Sequence, residues 1–142
     1  MMLKIAGTFA LPTLAKAIQQ SGSPFQRPKL KITDVRTAQV RVHGLHRHVR
    51  VCSEGLYGQG ESTDAAVGTE ALVRQFRRLL VGQDPLNVDA LGERLRVSGI
   101  FAGAQGGQYV TALSGVEIAL WDLAGKALGL PVYQLLGFRS QF

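Results

Sequence analysis

The sequence holds one cysteine, Cys52, so it can neither close an internal disulfide nor assemble a cysteine-rich zinc site. Five prolines and no internal repeat exclude a collagenous or low-complexity chain. No stretch approaches the ~18 consecutive apolar residues of a membrane span. Charged residues make up only 18% against 46% hydrophobic, a balance that excludes a disordered chain. At 142 residues, about one domain is expected. Acidic residues are also short, 10 against 16 Lys and Arg. That excess is local: residues 1–50 carry nine basic side chains against Asp34 alone, and residues 51–142 carry seven against nine acidic. Aromatics, at 7%, are too sparse to interleave with the basic positions. A nucleic-acid face gathers basic groups on one surface, often beside stacking rings, so the composition speaks against nucleic acid as a partner.

The usual catalytic constellations are missing as well. Gly103-Ala104-Gln105-Gly106-Gly107 lacks the Lys-Ser/Thr of a phosphate loop and reads as a loop. His43, His46 and His48 crowd one stretch, but no cysteine or acidic residue stands beside them, so no metal site is assigned. Cys52 has no neighbouring base in sequence and reads as a small strand residue. Glu117 and Asp122 lie five apart, about 140° around a helix, and do not face one substrate. Asp122 with Lys126 is better read as a structural i,i+4 pair. No catalytic residue is assigned on these residues alone.

Three stretches can be distinguished. Residues 1–28 read as a leader and linker: a mildly apolar run ends in Ala15-Lys16-Ala17, small-x-small as at a signal-peptidase site, and Gln19 to Pro24 is polar. Met2 to Gly7 resembles the residues after the arginine pair of twin-arginine export signals, but the pair itself is absent. As written the chain reads as cytoplasmic; an arginine pair further upstream would make it an exported, periplasmic protein. Residues 29–137 form the folded domain, and 138–142 a divergent tail.

Within the domain, Leu30, Ile32, Ala38, Val40 and Val42 share one parity, with Val35 off phase as at a bulge. Residues 43–48 read as a turn, Val49 and Val51 resume alternation, Ser53-Glu54-Gly55 marks a tight turn, and Leu56 to Glu61 a third strand. Gly58 and Gly60 leave room for another backbone. The period then becomes helical. Ser62-Thr63-Asp64 can cap a helix burying Leu72, Phe76, Leu79 and Leu80, with Arg74, Arg77 and Arg78 solvated and Gly82 as its end. Asp84-Pro85 is expected to open a second helix with Leu91 and Leu95 inward. Leu113, Val116, Leu120, Leu123 and Ala127 mark a third, stopped by Gly129 and Pro131, with Gly115 and Gly125 tolerated for close packing. The expected fold is α+β: a three-stranded antiparallel meander followed by three or more helices.

The run Ala112-Leu113-Ser114-Gly115-Val116-Glu117-Ile118-Ala119-Leu120-Trp121-Asp122-Leu123-Ala124-Gly125-Lys126, continuing to Gly137, closely resembles one segment of the mandelate racemase/muconate lactonizing enzyme family of the enolase superfamily. Glu54 to Glu61 is similar to that family's third strand, and Val81-Gly82-Gln83-Asp84-Pro85 to its first helix–helix joint. The short connection at 43–48 looks most like the sugar-acid dehydratases of the galactonate dehydratase type. The turn Cys52-Ser53-Glu54-Gly55 is about one residue shorter than the family's, which puts the hairpin's local geometry in question.

The resemblance implies a capping domain that closes the substrate pocket of a (β/α) barrel. In the barrel a Lys or His base removes a proton next to a carboxylate, and Mg²⁺ stabilises the enediolate. Those residues lie at barrel strand ends, beyond these 142 residues, so no catalytic residue and no metal ligand is carried over. Expected partners are a sugar-acid substrate in the full-length context, the barrel domain or an intact homologue, and, as in the family, further copies of the chain. Two cap loops of the family contact the distal end of the substrate, and they match residues 43–48 and 61–64. His46 and Arg47 could hydrogen-bond a polyol or carboxylate, Glu61 lies in the second loop, and Phe101 could wall the pocket. The alternative reading is a non-enzymatic module that docks on an intact homologue.

Overall fold

The computed structural model describes residues 26–41, 43–62, 68–103 and 106–137. Expectations for the leader through residue 25, the Thr63-Asp64 cap, Val42, Ala104, Gln105 and the tail from 138 fall outside those residues. The described chain runs through strands β1 (Ile32–Arg41), β2 (Leu45–Ser53) and β3 (Leu56–Ser62). Helices α1 (Thr69–Leu80), α2 (Val88–Ser98), α3 (Gly107–Leu128) and the short α4 (Val132–Leu135) come after them, with a 3₁₀ turn at Ile100–Ala102. The sheet is antiparallel in the order β1-β2-β3. This is the α+β meander and helix layer that the period change from two to 3.6 implied.

The β2–β3 turn is closed by Ser53 opposite Leu56, leaving Glu54 and Gly55 as a two-residue turn. Gly55, at φ 83°, takes the left-handed conformation that such turns require. The shortened turn therefore keeps an intact hairpin. The β1–β2 connection is one residue longer, with Arg41 opposite Leu45.

Two strand expectations are corrected. Register shifts between Ile32 and Asp34, so the bulge lies there and inverts the phase of the rest of β1. Ile32 and Val35 face the core, whereas Ala38 and Val40 lie on the opposite, exposed face. A period-two reading cannot register an inserted residue, and a one-residue slip exchanges the faces. Likewise His46, Arg47 and His48 belong to β2, not to a turn: the strand begins at Leu45. Polar composition concealed it, because one side of this sheet is open.

One face of the sheet is covered by the helices. Val49 and Val51 of β2 pack with Val73, Phe76 and Leu80 of α1, Leu91 and Leu95 of α2, and Val116, Leu120 and Leu123 of α3. Each such fully buried side chain contributes about 1.5–3 kcal/mol. The Phe76 and Tyr109 rings meet edge to face at 5.1 Å, and the Tyr109 hydroxyl donates to the Leu95 carbonyl at 2.6 Å. Ser62 ends β3, and α1 starts only at Thr69, with Gly68 in the capping position. The second helix starts at Val88, three residues after Pro85. Asp84 instead closes the preceding turn, its Oδ1 accepting the Leu86 N–H at 2.9 Å.

Helix α3 lies directly on β3 through glycines. A Cβ on Gly58 would sit 1.9 Å from the Ala119 carbonyl oxygen, and one on Gly60 2.0 Å from that of Gly115. The backbone approach inferred from those glycines is thus made by the third helix. Asp122 seals the same edge: its Oδ2 accepts the Gln59 N–H at 2.8 Å and Lys126 Nζ at 2.6 Å. Lys126 Nζ also donates to the Tyr57 carbonyl at 3.1 Å. The i,i+4 pair is structural, as its spacing indicated.

Candidate functional site

Arg41 and Leu45, the facing ends of β1 and β2, lie at the same end of the sheet as Ser62, the last residue of β3, because Arg41 faces Leu45 and Arg47 faces Ser62. Strand alternation divides the side chains there between two faces. His46 and Glu61 take the open face and meet: His46 Nδ1 lies 2.6 Å from Glu61 Oε1. An ionised carboxylate only accepts, so Nδ1 carries the shared proton. Both side chains remain partly exposed, 30% and 41%. This leaves Glu61 Oε2 as an acceptor for a hydroxyl donor, and His46 Nε2 as a second polar atom of the pair.

Arg47 takes the opposite face, in phase with Val49 and Val51, and its side chain is only 4% exposed. Its Nη1 donates to Glu70 Oε2 at 3.0 Å and its Nη2 to Gln39 Oε1 at 2.8 Å. One guanidinium thus ties β1, β2 and the first turn of α1 behind the loop end. Glu70 also receives Arg74 at 2.5 Å. Arg74 first, and Arg47 after it, hold the Glu70 carboxyl below its ordinary range. Arg47 Nε and Ser62 Oγ, opposite each other in register, are buried without a hydrogen-bond partner. Phe101 stands apart from these three on the 3₁₀ turn, its side chain fully exposed.

The structure therefore joins His46 to Glu61 and turns Arg47 into the layer beneath. Gln39 and Glu70 were not anticipated as partners of Arg47. The parity of Arg47 with Val49 and Val51 was the available signal that it points inward. Among the described residues no group of three or more His, Cys, Asp or Glu side chains is placed to hold a metal ion. The described residues thus offer no such set for Mg²⁺. No helix among the described residues is long and apolar enough to cross a membrane.

A three-stranded meander packed through glycines on a long helix, with both loops at one end, defines an enolase-superfamily N-terminal domain. The chain belongs to the mandelate racemase/muconate lactonizing enzyme family, whose N-terminal domain is matched over residues 26–137. It is 38% identical over 110 residues to D-galactonate dehydratase of Verminephrobacter eiseniae, covering 76% of this chain and 28% of that protein. A mandelate racemase/muconate lactonizing enzyme-like protein from Rubrobacter xylanophilus superposes with a TM-score of 0.74 at 45% identity, covering 80% of this chain and 29% of that one. An enolase from Pantoea ananatis, solved with bound D-gluconate and Mg, gives a TM-score of 0.70 at 32% identity, covering 76% of this chain and 27% of that one. The chain thus spans less than a third of the length of these relatives.

Proposed function

We propose that residues 29–137 are the capping, substrate-specificity domain of a Mg²⁺-dependent sugar-acid dehydratase or racemase-type enzyme, and that this chain by itself binds no Mg²⁺ and turns over no sugar acid. The observation that carries the reading is the His46–Glu61 pair at the loop end of a domain whose relatives include D-galactonate dehydratase. His46 and Glu61 contact the distal hydroxyls of the substrate, because the pair leaves one carboxylate oxygen and one ring nitrogen to hydrogen-bond them. Arg47 positions both strand ends from the buried side. The proton abstraction and the metal belong to the barrel, which completes the site.

Two assays test this. The purified chain, given D-galactonate or D-gluconate with and without Mg²⁺, should show no dehydration; Mg²⁺-dependent turnover would overturn the reading. Residues 29–137, grafted onto the D-galactonate dehydratase of Verminephrobacter eiseniae in place of its own cap, should support turnover. In that graft Glu61→Gln should raise KM about tenfold with kcat less affected, as loss of one substrate hydrogen bond implies. An unchanged KM removes Glu61 from the site.

The second reading, a non-enzymatic module docking on an intact homologue, draws on exposed Leu130, Tyr133 and Leu136 beyond α3. Co-purification with a full-length relative would favour it.

A further inference from the structure

The helices cover one face of the sheet, and the other carries an arrangement that family membership does not explain. Register places Arg36 directly opposite Arg50 on the open face, with Gln59 next in the row, and the neighbouring row reads Ala38, His48, Glu61. Like charges directly opposite on adjacent strands destabilise a sheet. Their carboxylate neighbours are already engaged. Asp34 is held by Arg36 Nε at 2.8 Å and by Arg77 Nε at 2.6 Å, and Glu61 by His46. Among the described residues Arg50 has no carboxylate partner; it lies over the Tyr57 ring, 4.3 Å from its centroid. Between the two guanidiniums and Ile118 of α3 runs a trough of about 780 Å³, with Ala38 and Gly60 among its lining residues.

We propose that this trough docks an acidic segment of another polypeptide, its carboxylates reaching Arg36 and Arg50 and an apolar side chain resting by Ala38 and Ile118. Charge complementarity selects the partner: Arg36 shares the single Asp34 carboxylate with Arg77 and Arg50 has none among the described residues, and this basic pair on a partly apolar bed suits carboxylates carried beside apolar side chains. Nucleic acid suits the face less well. Asp34 and Glu61 flank the basic row, and the Tyr57 ring is taken by Arg50 and by Lys126 at 5.0 Å, which leaves that ring no face for a base. The trough borders the proposed substrate site at Glu61, which lines it, so the test alters Arg36 and Arg50 and leaves that residue in place.

The test uses the full 142-residue chain and a fluorescent poly-L-glutamate of about 20 residues, titrated at about 0.05 M and 0.2 M salt. Binding should weaken with salt. The double variant R36Q/R50Q should lose about tenfold or more in affinity, the scale of losing charge-assisted hydrogen bonds. A charge-matched control, R78Q/R94Q, alters exposed helix arginines and should stay within about twofold of the parent. Circular dichroism confirms that each variant is folded, and backbone amide shifts on titration should concentrate on β1, β2 and β3. Equal losses in both double variants would reduce the effect to net charge and overturn the proposal. So would tighter binding of a single-stranded oligonucleotide of matched charge, lost in R36Q/R50Q, which would assign the face to nucleic acid.

Discussion

At Gly60 a single methyl group has nowhere to go. Its Cβ would lie 2.0 Å from the Gly115 carbonyl oxygen and 2.8 Å from the Ala119 amide nitrogen, both backbone atoms of α3. Neither can swing aside as a side chain would, so strand and helix must separate. Gly60→Ala is expected to destabilise the domain by about 3 kcal/mol, the upper range of overpacking. Gly92, inside α2, has only the Glu117 carboxylate near its missing Cβ, at 3.7 Å. Gly92→Ala should therefore stabilise by about 0.5–1 kcal/mol, as the unfolded chain loses freedom and the helix gains propensity. Urea titrations of the two variants decide the matter; a Gly60→Ala midpoint equal to the parent's would refute the close contact. Glycines in β3 were readable in the sequence as a place of close approach. That α3 fills it was not, because the partner of a contact lies far along the chain.

Elements are joined by fewer groups than they contain, and Asp34 is one such joint. Its carboxylate takes Arg36 from its own strand and Arg77 from α1, so β1 is tied to the helix across it. Arg36 foremost, then Arg77, lower its pKa from 3.8 to about 2. A carboxyl lowered on folding adds stability above its unfolded value and forfeits it as pH falls through the folded one. The domain should therefore lose about 1 kcal/mol between pH 4 and pH 2 through this group, after allowance for solvent screening. Asp34→Asn should remove that portion of the acid dependence in denaturation curves measured at successive pH; an unaltered pH profile would show the joint to be idle. At this scale the sequence was legible where one period held. The valines of β2 and the leucines of α3 announced their elements. The face of β1 was misassigned because a bulge shifts phase without changing composition, and the start of β2 because an open sheet face tolerates histidine and arginine.

At the scale of the whole molecule, exposed apolar side chains of the described residues include two sets near helix ends. Leu130, Tyr133 and Leu136 are 44%, 43% and 51% exposed beyond α3, and Val97, Ile100 and Phe101 are exposed around the end of α2. Isolated apolar side chains on a surface are ordinary, but sets contributed by adjoining turns act as patches. In relatives of which this chain spans 28% or 29%, far more polypeptide is available to cover them. Studied as 142 residues, the chain is expected to self-associate as its concentration rises. The driving force can be separated from the net charge of +6 by salt. Association through apolar patches should persist or strengthen in sulfate, which favours burial, while charge repulsion between copies is screened. Tyr133→Ser with Leu136→Ser should weaken it about tenfold, since each substitution removes roughly 1 kcal/mol or more of apolar burial. Light scattering over a concentration series reads this directly. A stable monomer at every concentration would mean that these side chains cover one another well enough alone, and that the turns after α2 and α3 need no further element.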